Sequence, residues 1–366
     1  MNILFVGEAV SGFGGIETVI QKVTRFLTDD PETRNSYTLY FLCRDDRMDK
    51  NWLAGKNAVY SRSGIKISFI RRLRHTCALG RYIAKNHPDV VISFDAPSCL
   101  IASRAIKASK RDIRLISWIH YSLDHKKHAD RVLTADYHLA ISSGIQQQLV
   151  ARGVPADNIF TIFNPVTPTE KIIPRPGPAQ PASFLYVGRI KFTGQKRLKD
   201  LLDTLAKLDG DWIFHAVGDG SDMKICQDYA QTLGIGQRIH WHGWQANPWE
   251  YVQDKIKHVS AFVMTSAFEG LPMTLLEAMS HGVYCISSDC PSGPGDIIRN
   301  GINGQLYPPH DLPALQKILL SLIQDRTFPD AEEIKKSIYD FYDKNYYSNF
   351  IKTINSFLEN HHSLKK

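Results

Sequence analysis

The sequence predicts an α/β protein of two doubly wound parallel-sheet domains facing each other across a cleft. Two observations carry that prediction. Short, continuously apolar runs rich in β-branched and aromatic residues alternate with amphipathic stretches of helical period. Strands that are apolar on both faces belong to parallel sheets covered by helices on each side. The pattern also breaks once, at "NPVTPTEKIIPRPGPAQP", residues 164–181, where six prolines and no periodicity mark a linker. After it "SFLYVGRI" restarts the strand–helix alternation.

The elements follow in order. "NILFVG", "YTLYFLC", "DVVISF", "RLISWIH" and "YHLAIS" read as strands before the linker, and "SFLYVG", "WIFHAVG", "AFVMTS" and "VYCISS" after it. "GIETVIQKVTRFL", "RLKDLLDTLAKL" and "DLPALQKILLSLI" have helical period. The domains expected are 1–165, 166–335 and a helical, aromatic-rich tail, 336–366, packing back on the first. In such sheets ligands bind at the carboxyl ends of the strands.

Composition removes several classes of function. At 43% hydrophobic and 22% charged, the chain can bury a core. No run approaches the ~18 apolar residues of a membrane span. The opening "MNILFVGEAV" reads as a buried strand and not as a secretion signal. The six cysteines form no CxxC pair, so a reduced, cytoplasmic protein without structural zinc is expected. The net charge is +7, and the excess lies in residues 1–165, with 23 Lys and Arg against 15 Asp and Glu. Between Asp49 and Asp89 there is no acid, and every Lys or Arg charge there is unopposed. That field attracts an anionic surface or ligand. No recognition motif accompanies it, so nucleic acid is not expected.

Candidate site residues cluster after strand signals. In "SAFEGLPMTLLEAMSHG" a strand ends near Ser266, Pro272 suits a first helical turn, and the helix stops at Gly282. Free amides near Met273 and Thr274, with the helix dipole, make an anion site. Glu277, one turn further in, is placed to accept from the hydroxyls of a ribose, and Glu269, on the loop, from a second polyol. A solvated helix glutamate and an ordinary loop glutamate account for the spacing equally well. In "YVGRIKFTGQKR" a strand delivers Arg189, and Lys196 opens the next helix; two cations beside a helix-terminus anion site suit a diphosphate. Plain surface basicity is the alternative. "GEAVSGFGGIETV" offers Gly14 and Gly15 for close backbone approach to a ligand, without the GxGxxG spacing of a nicotinamide site. His120 ends a strand and is placed to touch substrate. Asp124, His125 and His128 have spacings a metal can use, but neighbouring lysines favour a solvated face. Trp244 with Gln245 offers aromatic and polar groups that can hold a nucleobase; ordinary turns and core tryptophans explain these residues as well.

Taken together, "GGIET", "VGRIKFTGQK", "VGDG", "HGW", "TSAFEGLP", "SHGVYCISSD", "PSGPGDII" and "NGINGQLY" resemble, in order, the motifs of retaining glycosyltransferases of the GT-B fold, family 4. "EGLPMTLLE" resembles that family's EX7E signature. The resemblance implies two Rossmann-like domains, the first for the acceptor and the second for the nucleotide sugar, with no metal. It implies that Arg189 and Lys196 bind the diphosphate and Glu277 the ribose. Glu269 would hold donor-sugar hydroxyls with amides near Met273 and Thr274, and His120 would contact the sugar beside the anomeric carbon. Gly14 and Gly15 would let the backbone close on the donor. One departure stands out. The family has Lys-Gly five residues after the Arg; here Lys196 comes seven after, and Arg197 replaces the Gly.

Overall likeness within the family implies galactose transfer from UDP-galactose, in α-1,6 linkage, to a glucose of the lipopolysaccharide core. The acceptor hydroxyl would attack on the leaving group's own face and pass its proton to a phosphate oxygen. The stretch "KISFIRRLRHTCALGRYIAK", residues 66–85, places Ile67, Ile70, Leu73 and Cys77 at helical spacing beside Arg71, Arg72 and Arg74. That suits a cationic amphipathic helix near an anionic membrane, the cytoplasmic face of the inner membrane being the one expected, or near a phosphorylated lipid acceptor; an ordinary domain helix with a basic face is the alternative. Two other functions fit the residues: a nucleotide-sugar epimerase on the same plan, and a non-catalytic anionic-lipid binding module.

Overall fold

In the computed structural model, which describes residues 1–8, 15–29, 35–45 and 51–363, the chain divides into two compact units. The first comprises Met1–Pro165 with Tyr346–Lys366, the second Val166–Asn345. Each is built on a wholly parallel sheet.

The first unit runs β1 (Asn2–Glu8), α1 (Gly15–Asp29), β2 (Ser36–Cys43), β3 (Ala58–Arg62), α2 (Ser68–Asn86), β4 (Val90–Ser93), α3 (Ala96–Ser109), β5 (Arg114–Ile119), β6 (Tyr137–Ala140), α4 (Ser143–Ala151) and β7 (Ile159–Thr161). Its seven strands lie in the order β3-β2-β1-β4-β5-β6-β7. The centre is dry: Ile3, Val6, Phe41, Val91 and Ile116 have almost no exposure. Asp95 caps α3, accepting from the Ser98 amide at 2.7 Å. Gly80 of α2 lets that helix approach α3 closely, since a Cβ there would lie 3.2 Å from the Ala105 carbonyl oxygen.

The second unit runs β8 (Ala182–Val187), α5 (Leu198–Leu205), β9 (Trp212–Val217), α6 (Met223–Thr232), β10 (Ile239–Gly243), α7 (Pro248–Tyr251), β11 (Ala261–Met264), α8 (Met273–Ser280), β12 (Cys285–Ser288), α9 (Pro294–Ile297), β13 (Gly304–Tyr307), α10 (Leu312–Gln324) and α11 (Ala331–Ser337). The strand order is β10-β9-β8-β11-β12-β13. The order reverses between β8 and β11, so the loops after these two strands diverge and leave a crevice at their carboxyl ends.

All nine strands read from the sequence are present. The four it did not yield, β3, β7, β10 and β13, are the outer strands of the two sheets. The proline-rich linker is tied to the second unit. The Ile173 amide donates to the His281 carbonyl at 3.0 Å and the Val259 amide to that of Pro174 at 2.9 Å. The last helix, α12 (Asp343–Ser363), starts in the second unit and continues in the first. Residues 336–345, drawn with the tail from sequence, are held by the second unit. Asn303 Nδ2 donates to Ser337 Oγ at 2.8 Å, and the Val166 amide to the Phe341 carbonyl at 2.9 Å. Beyond them Tyr347 stacks on Phe26 and Phe357 on Tyr137, both at 4.3 Å between centroids.

Candidate functional site

The crevice between β8 and β11 gathers most of the second-unit candidates. Its floor is set by backbone contacts between loops. The Gly188 amide donates to Val217 O and the Ile190 amide to Asp219 O, each at 2.9 Å. A Cβ at Gly218 would sit 1.9 Å from the Gly188 carbonyl oxygen, so only glycine permits this approach. Tyr186 OH adds a 2.8 Å bond to the Arg189 carbonyl. The Arg189 backbone is therefore fixed, while its side chain is exposed with no ion pair among the described residues.

The following loop is fastened to the end of β11. Thr265 Oγ1 donates to the carbonyls of Lys196 and Arg197, both at 3.1 Å, and the Ala267 amide to Gln195 O at 2.8 Å. This brings Lys196 Nζ to 2.7 Å from Glu269 Oε1. Gln195 Nε2 donates to Glu269 Oε2 at 3.4 Å. Glu269 is buried and Lys196 half-buried, so the pair satisfies in place two polar groups that the fold removes from water. Arg197, where the family has glycine, adopts the left-handed region at φ 50°. Its guanidinium closes a fork on Asp200, with bonds of 2.6 and 3.0 Å. The loop keeps the glycine conformation with an arginine, and the adjoining acid holds the side chain.

Helix α8 begins at Met273, with Pro272 outside it as the N-cap and no side chain capping it. Sequence placed Pro272 inside the first turn; its ψ of 97° excludes that. Leu275, Leu276, Ala278 and Met279 are buried, whereas Met273, Thr274 and Glu277 share the half-exposed face. Glu277 thus escapes the core although its neighbours are apolar. Trp249, buried at the start of α7, donates from Nε1 to Glu277 Oε2 at 2.8 Å and fixes one carboxylate oxygen. Trp249 was not singled out from sequence, because nothing local ties it to a glutamate 28 residues away.

After β10, Trp244 is 58% exposed, and Gln245 donates to His242 O at 2.9 Å. They belong to the same carboxyl edge, at its outer strand. Gly293, at φ 95°, presses the loop after β12 onto the Glu269–Pro272 turn: a Cβ there would meet Pro272 Cδ at 2.6 Å and Leu271 Cα at 2.9 Å.

In the first unit His120 follows β5, against Trp118 with centroids 4.6 Å apart. Both its ring nitrogens are shielded and have no hydrogen-bond partner among the described residues. Burial holds its pKa down at about 3, so the ring is neutral. Gly15 opens α1; Gly14 lies outside the described residues. Asp124, considered for a metal, pairs with Arg152 at 2.7 Å. Among the described residues no group of three or more His, Cys, Asp or Glu is placed to hold a metal ion.

Comparison with known proteins places this architecture. A family profile described as Glycosyltransferase Family 4 matches residues 13–170, and one described as Glycosyl transferases group 1 matches 169–341. The lipopolysaccharide 1,6-galactosyltransferase of Salmonella typhimurium is 49% identical over 98% of this chain and 100% of its own. The chain belongs to the family 4 glycosyltransferases. The Escherichia coli K12 protein of the same name is also 49% identical, over 97% of this chain and 98% of its own. Among solved structures, the apo form of the lipopolysaccharide outer core galactosyltransferase WaaB superposes with a TM-score of 0.92 at 49% identity, over 97% of this chain and 99% of the other. Anabaena HepE in complex with UDP shares the fold, with a TM-score of 0.80 at 17% identity over 97% and 100%. Membership makes this chain a transferase of the GT-B fold, and the epimerase and non-catalytic lipid-module readings give way to it.

Proposed function

We propose that this glycosyltransferase moves galactose from UDP-galactose to a glucose of the lipopolysaccharide core, in α-1,6 linkage and with retention of configuration. The observation that carries the proposal is 49% identity, over nearly the whole length, to a lipopolysaccharide 1,6-galactosyltransferase. The chemistry of the second-unit site agrees with a nucleotide-sugar donor. Its Arg189, exposed and without an ion pair among the described residues, and the start of α8, with no side-chain cap, suit a diphosphate. Lys196 leaves Glu269 for the phosphates, freeing a carboxylate for the hydroxyls of the hexose. Glu277, oriented by Trp249, accepts from the ribose, and Trp244 with Gln245 flanks the base.

In the proposed reaction the bond between the anomeric carbon and the phosphate oxygen breaks. The acceptor oxygen bonds to that carbon on the same face, and its proton passes to the departing phosphate oxygen. Arg189 and Lys196 stabilise the developing negative charge without a metal. His120, neutral, meets the donor sugar without adding charge, and Gly14 and Gly15 allow close backbone approach. Incubation with UDP-galactose and truncated core lipopolysaccharide should add one hexose, with NMR giving the α-anomer. Absence of product from folded protein with any nucleotide sugar would overturn the proposal. Calorimetry with UDP in chelator tests metal independence.

A membrane role is proposed for α2. Its buried face is His75, Thr76, Leu79, Gly80 and Ile83. The stripe read from sequence points outward: Ile67 is 61% and Leu73 54% exposed, Ile70 and Cys77 are exposed with them, and Phe69, not read as part of the stripe, joins them. A contiguous apolar strip beside Lys66, Arg72 and Arg74 fits an anionic bilayer surface, where the acceptor's lipid lies. Among the described residues no helix is long and apolar enough to cross a membrane.

A further inference from the structure

Ser292 is poorly suited to the fold it occupies. It lies in the loop between β12 and α9 with φ at 72°, a conformation that residues other than glycine and asparagine rarely adopt. The residue is only 7% exposed, yet its hydroxyl has no hydrogen-bond partner among the described residues. Glycine would remove both penalties at once, and the next residue, Gly293, already has positive φ. A strained serine with an idle hydroxyl is a residue whose use lies outside the ligand-free fold.

Its position says what that use is. The carbonyl of Pro291, just before it, accepts from the Glu269 amide at 3.3 Å. Gly293, just after it, is pressed against Gly270, Leu271 and Pro272. Ser292 is thereby wedged against the turn that carries Glu269 to the start of α8. On the other side, the Cys290 thiol is pushed up to about 12, first by burial and then by the charge of Glu269. The loop and the carboxylate share one wall.

We propose that Ser292 is a donor-sugar contact, its hydroxyl exchanging a hydrogen bond with a hydroxyl of the hexose and so discriminating among UDP-hexoses that differ in configuration. This rests on the reading of Glu269 as the hexose-binding carboxylate. A serine both donates and accepts, which a polyol matches and a phosphate does not. The hydroxyl is shielded until the donor enters, and the Lys196–Glu269 pair is the contact that entry opens.

The test is Ser292→Gly, which suits the backbone, with Ser292→Ala as a second variant. Calorimetry with UDP, UDP-galactose and UDP-glucose, and thermal melts, are measured on the full chain. Both variants should bind UDP as wild type does and bind the preferred UDP-hexose about tenfold more weakly, one hydrogen bond's worth. The preference between the two hexoses should narrow, while Ser292→Gly melts at or above wild type. Wild-type UDP-hexose affinity and preference in both variants would overturn the inference while leaving Glu269's role intact, provided Glu269→Gln weakens the sugar nucleotide. Wild-type protein that binds no UDP-hexose would overturn both.

Discussion

The Lys196–Glu269 pair gives the site a resting state in which a buried negative charge is neutralised from within. Removing the lysine leaves that carboxylate buried without its cation, whereas removing the acid frees the lysine. Lys196→Ala should therefore lower kcat/KM by about 100-fold or more, the size of a lost leaving-group stabiliser. It should also lower Tm, whereas Lys196→Arg should recover part of both. A Lys196→Ala enzyme with wild-type kcat/KM would remove Lys196 from the reaction. Arg197 behaves differently. Its left-handed backbone costs roughly 1–2 kcal/mol, and its fork on Asp200 returns a comparable amount, since charge-assisted bidentate pairs exceed ordinary surface bridges. Arg197→Gly should leave Tm and kcat close to wild type, as thermal melts and steady-state rates would show. At this scale the sequence displayed the residue types but not their partners. Glu269, Glu277, Arg189 and Lys196 became candidates through the motifs they resemble, Lys196 at an altered spacing, and the fold brings them to the carboxyl ends of β8 and β11. Trp249's bond to Glu277, Thr265's hold on the lysine loop and Ser292's backbone depend on contacts across sequence gaps, which no local pattern encodes.

Helix α2 reverses the usual logic of an amphipathic element. Its sequence stripe of Ile67, Ile70, Leu73 and Cys77 faces out, and the face that packs on the unit is the mixed one. Exposed apolar residues contribute little to stability, so Ile70→Glu with Leu73→Glu should change the unfolding free energy by less than about 0.5–1 kcal/mol. The same pair should abolish co-sedimentation with anionic vesicles, and Arg72→Gln with Arg74→Gln should weaken it in a salt-sensitive way. Unchanged sedimentation for both pairs would reject the membrane reading of α2. The strands tell a related story about legibility. Interior strands such as β1, β4, β8 and β11 are buried on both faces and show continuous apolar runs. β3, β7, β10 and β13 are paired on one side only, and β10, "IHWHG", and β13, "GQLY", carry polar residues and glycine through the strand. Edge position dilutes the hydrophobic signal that reveals a strand.

Across the molecule, the three histidines whose pKa burial depresses most make the chain acid-sensitive. Burial holds His120 at about 3, His138 at about 4 and His215 at about 3, with neighbouring His242 and His240 adding to the depression at His215. His138 and His215 are neutral and hydrogen-bonded, to Ser117 Oγ at 2.7 Å and to His242 Nε2 at 3.0 Å. In the unfolded chain each titrates near 6.5. Below that pH the unfolded state binds protons that the folded state refuses, so stability falls as pH falls. The stabilisation is complete above about 6.5 and is lost progressively as pH drops toward the folded values of 3 to 4. Two of the histidines lie in the first unit and one in the second, so both units should lose stability together. Urea titrations at pH 7.5, 6 and 5 should show the midpoint falling steadily, and His138→Gln should flatten the dependence between pH 6.5 and 5. A midpoint independent of pH over that range would mean these rings are protonated in the fold, against their burial.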